Sequence, residues 1–156
     1  MPVLDLKFFS LSRVPLLLQA EAAECGLACV AMIAGYHGQP VSLAELRHLR
    51  PVLLKGLTLA GVIDVAASIQ LQARAVRLEC TELKQLRLPC ILHWRMNHFV
   101  VLERVTAFGV RIADPAIGRV SLSHRQCSSL FTGVALELVP TRDFAPRRLR
   151  QRLRSE

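Results

Sequence analysis

Residues 26–36 read GLACVAMIAGY, a stretch that is apolar almost all the way round a helical projection and ends near Gly35 and Gly38. A helix without a polar face has to be surrounded by the rest of the protein. Cys25 comes directly before this stretch, at or just before the first turn of the predicted helix. The sequence therefore predicts a buried central helix with a cysteine at its N-terminus.

Two further helices are predicted downstream of this one. Ser42 and Glu45 have the spacing of a capping box, and Thr58 is placed to cap a third helix. Apolar residues then recur every three or four positions, which predicts that each helix turns one face towards the core. The apolar positions are Leu43, Leu46 and Leu49 in one helix and Leu59, Val62, Ile63, Ala66 and Ile69 in the other.

The second half of the chain changes to short runs rich in Val, Ile and Leu, separated by turn signals such as Asp114-Pro115. Ser123 and Gln126 predict one more capped helical turn before the last run. Helices followed by antiparallel strands indicate an α+β fold. The predicted strands are Cys90–Trp94, Phe99–Val105, Val110–Ala113, Arg119–Leu122 and Val134–Val139.

Composition and charge limit the classes of function. The chain has 156 residues, of which 52% are hydrophobic, so one domain with a real core is expected. Aromatic residues make up only 5%, which argues against a surface that stacks nucleic-acid bases. Half of the net charge of +8 lies in residues 142–156, where six arginines face two acids. A basic segment of this kind can bind anionic lipid or nucleic acid, or it can be a solvated chain end.

Cysteine usage and hydropathy bear on location. Five cysteines are an odd number without the framework of a small secreted protein, and free thiols persist in a reducing compartment. The apolar run Val14–Leu18 is too short for the core of a signal peptide, and no stretch reaches the 18 or so apolar residues that a membrane span needs. These features predict a soluble, cytoplasmic chain.

Cys25 is the candidate nucleophile of a cysteine hydrolase. The free amides and the dipole at a helix N-terminus stabilise a thiolate, and Gly26 leaves room for a substrate backbone. One alternative is that Cys25 is a small buried hydrophobe, as Cys29 is expected to be one turn further on. Another is a metal pair of Cys25 with Cys29, which lacks a second ligand pair at the usual spacing.

His98 is the candidate base among five histidines because of its relation to Asp114. If the strands on either side of residues 106–109 pair as a hairpin, Asp114 lies between directly opposite His98 and about three residues away. The carboxylate could then orient the imidazole, although Asp114 alone would be read as an Asp-Pro turn former. Gln19 lies six residues before Cys25 and is a candidate oxyanion donor, on a weak signal because glutamine is common on helix surfaces.

Residues 19–32, QAEAAECGLACVAM, resemble the cysteine motif of the C39 peptidase family, the N-terminal peptidase domains of bacteriocin-processing ABC transporters. Residues 97–102, NHFVVL, resemble the histidine motif of that family, and Ala113-Asp114-Pro115-Ala116 followed by Gly118 resembles its aspartate motif. Residues 131–137 resemble the end of the domain. The resemblance runs from about Val14 to Pro140 and is greatest to colicin V-type transporters.

The resemblance implies a papain-like cysteine peptidase, with a helical lobe that carries Cys25 and an antiparallel β-sheet lobe that carries His98 and Asp114. It implies Cys25 as nucleophile, His98 as base, Asp114 as orienting residue and Gln19 as oxyanion donor. It further implies cleavage after Gly-Gly in the leader of a bacteriocin- or microcin-type precursor peptide. No metal or cofactor is expected for this step, since ATP would be used by an ATPase domain outside this sequence.

The same resemblance predicts the organisation of the chain and its partners. Residues 1–13 are expected to be an N-terminal extension, residues 14–140 the C39-like peptidase domain, and residues 141–156 a basic linker towards a transmembrane domain. The expected partners are the precursor peptide and the transmembrane and ATPase domains of an ABC transporter, on the cytoplasmic side of the bacterial inner membrane. Candidates for a leader groove, or for plain core packing, are Leu53, Leu54, Leu57 and Leu59.

Two alternatives from other functional classes stay open. The first is a module that binds leader peptides and recruits cargo to the transporter without cutting it. The related non-catalytic domains of haemolysin-type exporters lack the cysteine, so Cys25 disfavours that reading. The second is nucleic-acid binding through the arginines of residues 142–156, for which no aromatic or helix-turn-helix context is present.

Overall fold

The computed structural model describes residues 13–49 and 56–144. Most of the expected N-terminal extension, the groove candidates Leu53 and Leu54, and most of the basic segment 141–156 lie outside these residues. Within the described residues there are four α-helices, and a 3-10 turn at Ala22–Glu24 leads into the first of them. They are α1 (Cys25–Tyr36), α2 (Leu43–Leu49), α3 (Leu59–Ser68) and α4 (His124–Leu130).

Six strands form one antiparallel sheet in the order β1-β6-β2-β3-β4-β5. A second 3-10 segment, Cys80–Gln85, connects the first two strands. The α+β fold class, with helices first and an antiparallel sheet after them, is confirmed. The strands are β1 (Leu71–Arg77), β2 (Cys90–Trp94), β3 (His98–Val105), β4 (Gly109–Asp114), β5 (Gly118–Ser123) and β6 (Phe131–Pro140).

The edge strand β1 was absent from the sequence prediction. Its sequence LQARAVR carries two arginines and two alanines, and only Leu71 is fully buried, so it lacks the branched apolar run that marks the other strands. It is held by pairing with β6 along its whole length. Arg74 also donates to Glu137 of β6, with Nη2 to Oε1 at 2.7 Å. Tertiary pairing, and not local propensity, forms this strand.

The buried central helix α1 is confirmed, because every residue from Cys25 to Ala34 is buried. It packs against β3 on one side and against α2 and α3 on the other. Gly26 has a role in this packing that differs from the expected one: a Cβ at this position would lie 2.9 Å from Cγ2 of Val62 in α3. The missing side chain therefore lets α3 approach, and this contact places the N-terminus of α1.

Both faces of the sheet are covered, which explains why its strands read as continuous apolar runs. Successive residues of a strand point to opposite faces. Ile91, Phe99 and Val101 belong to the core shared with α1, α2 and α3. Their neighbours Leu92 and Val100 belong to a second core, beneath α4 and the Cys80–Gln85 segment.

The predicted helix caps are present, but two predicted apolar faces need correction. Ser42 and Thr58 each accept a backbone N–H three residues on, at 3.1 Å, and Ser123 forms a reciprocal capping box with Gln126. Leu49 was expected in the core but is 53% exposed, since it ends the short helix α2 beyond the contact with α1. In α3 the buried positions include Val65, whereas Leu59 and Ile63 are only half-buried. Of the groove candidates, Leu57 is core.

The hairpin between β3 and β4 has the predicted turn at residues 106–109. The Thr106 hydroxyl accepts the N–H groups of Phe108 and Gly109, both at 3.2 Å. Val101 pairs with Ala113, so Asp114 comes opposite Val100, two residues from His98. This register lies within the predicted range and brings the two candidate site residues to the same end of the hairpin.

Gly109→Ala is expected to destabilise the protein by about 3 kcal/mol, the upper part of the usual cost of overpacking. A Cβ at Gly109 would lie 1.9 Å from the carbonyl oxygen of Leu122, and backbone on β5 cannot move aside without breaking the β4–β5 pairing. Thermal unfolding followed by circular dichroism measures the effect. Gly61→Ala is the control, since the atom nearest to its Cβ would be Cδ2 of Leu57 at 3.1 Å, the flexible end of a side chain. Equal melting temperatures for the two variants would contradict this account.

Candidate active site

Cys25 is the first residue of α1, and its side chain meets β3. The residue is 7% exposed. Its thiol is hydrogen-bonded to the imidazole of His98, and the backbone amides of Phe99 and Gly26 also act to lower the pKa of the thiol. The sulfur thus lies between the first turn of a helix and the start of a strand, and both elements offer it hydrogen-bond donors.

This environment favours the thiolate form of Cys25. Burial acts to raise the pKa of the thiol, because it disfavours the charged form. The hydrogen bond and the positive charge of His98, together with the amides of Phe99 and Gly26, outweigh burial and lower the pKa below its ordinary value. A buried thiol with a lowered pKa is the state that a nucleophilic cysteine needs.

His98 is held between Cys25 and Asp114. Its Nε2 lies 2.7 Å from Oδ1 of Asp114, which leaves Nδ1 for Cys25. Hydrogen bonds to Asp114 and then to Cys25 raise the pKa of His98 to about 9, against the opposing effect of burial. The predicted neighbourhood of His98 and Asp114 is confirmed in the structure, and the imidazolium form is favoured at neutral pH.

Asp114 makes two hydrogen bonds, one for each of the readings that its sequence suggested. Its Oδ1 accepts the N–H of Ala116 at 2.9 Å, as expected for an Asp-Pro turn. The same oxygen accepts a hydrogen bond from the Nε2–H of His98. The Asp-Pro turn holds the carboxylate in place, and the carboxylate then holds the imidazole ring of His98 in one plane.

The other cysteines and histidines lie in different surroundings. Cys29, one turn along α1, is fully buried, and burial, followed by the negative charges of Cys25 and Asp114, raises the pKa of its thiol well above the ordinary range. Burial likewise raises the pKa of Cys90, and it raises that of Cys127 to about 12 together with a hydrogen bond to Cys80. His93 bonds Thr132 and Asn97, and His124 bonds the Thr106 carbonyl.

Gln19 lies beside the aspartate turn. Its backbone N–H donates to the carbonyl of Pro115 at 2.8 Å, which ties the segment before α1 to the loop that carries Asp114. Its side-chain Nε2 donates to the Ala22 carbonyl at 3.3 Å, at the weak end of the range, and its Oε1 is buried without a partner among the described residues. The oxyanion role of Gln19 stays a prediction.

Two features of the site escaped the sequence reasoning. The Phe99 amide had no signal, since a backbone donor is invisible in a sequence and its position depends on how β3 meets α1. The ion pair between Glu24 and Arg47 joins residues 23 positions apart. Glu24 could have been noticed as the neighbour of Cys25, but nothing local points to Arg47.

Within residues 13–49 and 56–144, no three His, Cys, Asp or Glu side chains are placed to hold a metal ion. Within the same ranges, no helix is both long enough and apolar enough to cross a membrane.

Comparison with known proteins identifies relatives among secretion proteins. The profile of the Peptidase C39 family matches residues 13–143. The chain is 44% identical, over 141 residues, to the colicin V secretion/processing ATP-binding protein CvaB of Escherichia coli, which covers 90% of this chain and 20% of the relative. It is 45% identical, over 132 residues, to the probable microcin-H47 secretion/processing ATP-binding protein MchF of the same species, covering 85% and 19%. The chain thus spans about a fifth of the length of these relatives.

Solved structures show the same fold. One is a double glycine motif protease from an AMS/PCAT transporter, crystallised with the leader peptide, with a TM-score of 0.79 and 37% identity over 83% of this chain and 94% of that one. Another is the peptidase domain of Streptococcus ComA, with a TM-score of 0.76 and 26% identity over 83% and 100%. The papain-like arrangement of a helical lobe and a sheet lobe is therefore confirmed. From the profile match over most of its length and these likenesses, the chain belongs to the peptidase C39 family.

Proposed function

We propose that this chain is a cysteine endopeptidase domain that removes a double-glycine leader from a bacteriocin- or microcin-type precursor. The observation that carries the proposal is the hydrogen-bonded series of Cys25, His98 and Asp114 at the N-terminus of a buried helix. Support for the substrate comes from the 37% identity to a double glycine motif protease crystallised with the leader peptide.

The first step forms a thioester. The Cys25 thiolate attacks the carbonyl carbon after the second glycine, and the carbonyl oxygen takes up the electron pair. We assign Gln19 and the Cys25 backbone N–H as donors to this oxyanion. The His98 imidazolium gives its proton to the leaving nitrogen as the C–N bond breaks, which releases the mature peptide with a new amino terminus.

The second step returns the enzyme to its starting state. His98, now neutral, takes a proton from water, and the resulting hydroxide attacks the thioester carbon. The C–S bond breaks, the leader leaves as a carboxylic acid, and the thiolate and imidazolium are restored. Asp114 keeps the imidazole in one orientation in both steps and stabilises its positive charge.

The proposed setting is an ABC transporter that exports the trimmed peptide. The two Escherichia coli relatives are named as secretion/processing ATP-binding proteins. We place this domain, residues 14–140, on the cytoplasmic side of the inner membrane, with the arginine-rich residues 141–156 leading towards a transmembrane domain and its anionic lipid. ATP would be hydrolysed by a separate ATPase domain, and the peptidase step itself uses no cofactor.

A synthetic leader peptide with a Gly-Gly junction and ten following residues tests the proposal. Incubation with the wild-type chain is expected to give two fragments whose masses place the cut after the second glycine. A matched peptide with Ala-Ala at the junction is the control and should remain whole. Binding of the Gly-Gly peptide without cleavage would overturn the proposal in favour of a leader-binding module that recruits cargo.

The rate of cleavage is expected to depend on pH through Cys25 and His98. It should rise as the Cys25 thiol, whose pKa is lowered, loses its proton, and it should fall as the His98 imidazolium loses its proton near pH 9. Asp114→Asn removes the largest cause of the raised pKa of His98, so the alkaline limb should move to lower pH. A downward shift of about one pKa unit should roughly halve kcat/KM at pH 8, because about half of His98 would then have lost its proton at that pH.

The pH profile of kcat/KM on the Gly-Gly peptide measures this shift. Asp143→Asn, which alters an exposed carboxylate, is the matched control and should leave both limbs in place. An alkaline limb in Asp114→Asn that coincides with that of the wild type would contradict the role of Asp114.

A further inference from the structure

Glu24 directly precedes the proposed nucleophile and is almost fully enclosed, at 3% exposure. It occupies the N-cap position of α1, so Cys25 is the first residue of the helix and Gly26 the second. A polar side chain at an N-cap ordinarily accepts the free N–H of the second or third residue. The Glu24 side chain makes no such bond.

The Glu24 carboxylate is instead turned towards α2. Its Oε1 accepts the N–H of Glu21 at 2.9 Å and Nη2 of Arg47 at 3.0 Å, and its Oε2 accepts Nε of Arg47. This two-bond fork is the geometry in which guanidinium groups hold carboxylates most firmly. The hydrogen bond from Arg47 is also the main reason why the pKa of Glu24 is lowered. The carboxylate therefore stays charged and is held between the Glu21 amide and Arg47 of α2.

The Glu24 carboxylate is a negative charge beside the proposed nucleophile, since Glu24 and Cys25 are consecutive residues and both are buried. The guanidinium of Arg47 neutralises this charge. A Glu24 carboxylate released from Arg47 would repel the Cys25 thiolate at low local dielectric and would therefore raise the pKa of the thiol.

We propose that Arg47 is a positioning residue for the peptidase reaction: by anchoring and neutralising the Glu24 carboxylate on α2, it keeps an unpaired negative charge away from the Cys25 thiolate. This inference rests on the proposed role of Cys25 as nucleophile. Arg47 touches neither Cys25 nor His98 and acts through Glu24 alone. The Arg47 side chain is 42% exposed and lies on the solvent side of the Glu24 carboxylate.

The groups that bear on Cys25 come from several elements. His98 of β3 contacts the thiol, and Asp114 of β4 acts through His98. Cys29 lies one turn along α1. The other charged groups near the Glu24–Arg47 pair are Glu21, which precedes α1, and the exposed Glu45 and His48 of α2.

The test measures the rate at which iodoacetamide alkylates Cys25 as a function of pH, read by mass spectrometry of the Cys25 peptide. Arg47→Met frees the carboxylate and should move the alkylation midpoint to higher pH, slowing the reaction at pH 6.5 by about tenfold, as for one pKa unit. Glu24→Gln combined with Arg47→Met removes the repelling charge and should restore most of the wild-type rate. Arg47→Lys keeps the positive charge but cannot form the two-bond fork, so its alkylation rate should lie between those of the wild type and Arg47→Met.

Two results would overturn the proposal. One is an Arg47→Met protein whose alkylation profile matches the wild type. The other is a double variant that is as slow as Arg47→Met, which would mean that Arg47 supports α1 by packing alone. Should Arg47→Met fail to fold, Glu24→Gln decides: it should alkylate at least as fast as wild type, and slower alkylation would show that the carboxylate assists the thiolate.

The proposed function can fail separately from this inference. Cleavage of the Gly-Gly peptide is measured in parallel with alkylation on the same variants. If the wild-type chain cuts no leader, the peptidase assignment falls, while the alkylation profiles still report whether Arg47 controls the Cys25 thiolate. If the wild type cuts and the Arg47→Met profile is unmoved, only the role of Arg47 falls.

Discussion

Cys25→Ala is expected to lower kcat/KM on a double-glycine leader peptide by at least about 10⁴-fold, because no other group in the site can form the thioester. His98 and Asp114 would remain in place, but they would have only water to activate. The fold should persist, since alanine removes one sulfur from a buried position without adding volume. Affinity for the uncut peptide should change less than twofold, as measured by titration calorimetry alongside the cleavage assay.

Cys29→Ala is the matched control for this prediction. It makes the same chemical change one turn along the same helix, at a thiol that burial keeps protonated. The variant should keep wild-type cleavage and lose about 1 to 2 kcal/mol of unfolding free energy through the small cavity. A folded but inactive Cys29→Ala protein, or cleavage by Cys25→Ala, would mean that the wrong thiol has been assigned.

His98→Ala is expected to lower kcat/KM by about 10³-fold, within the usual range for the loss of a general acid and base. Two effects combine. The leaving nitrogen loses its proton donor, and the Cys25 thiol loses the hydrogen bond and the charge that lower its pKa. At pH 7 a smaller share of Cys25 would then be thiolate. Alkylation of Cys25 should accordingly slow at this pH, and this readout does not depend on any peptide substrate.

The control for this variant is His48→Ala, which removes an exposed imidazole on α2. Its cleavage and alkylation should match the wild type. Should His98→Ala cleave as fast as His48→Ala, another group would have to protonate the leaving nitrogen, and the proposed mechanism would have to be abandoned. Circular dichroism spectra of both variants exclude loss of fold as the cause of any difference.

Much of the fold could be predicted because its signals are local. The caps at Ser42, Thr58 and Ser123 are set by hydroxyls that reach a backbone N–H three residues on, and such spacing is readable in a sequence. The apolar runs of β2 to β6 are likewise local. β1 was missed because a partly exposed edge strand with arginines in it is formed by its partner strand.

The same distinction applies to the candidate site, where local sequence predicted some features and tertiary packing decided the others. The neighbourhood of His98 and Asp114 followed from the length of one hairpin, so the sequence was sufficient to predict it. The assignment of Cys25 followed from its place at the start of an apolar helix. Its contact with His98, 73 positions along the chain, required the packing of α1 on β3, and a pattern within one element carries no information about such packing.

The cysteine at the start of the buried helix was thus recognisable from the order of residues, and so was the turn that carries Asp114. The surroundings of the thiol were recognisable only in part. The Phe99 amide acts on the sulfur because β3 crosses the N-terminus of α1, and the Glu24 carboxylate beside Cys25 is neutralised because Arg47 reaches it from α2. Each depends on the approach of chain segments distant in sequence, which is set by the close packing of the whole core.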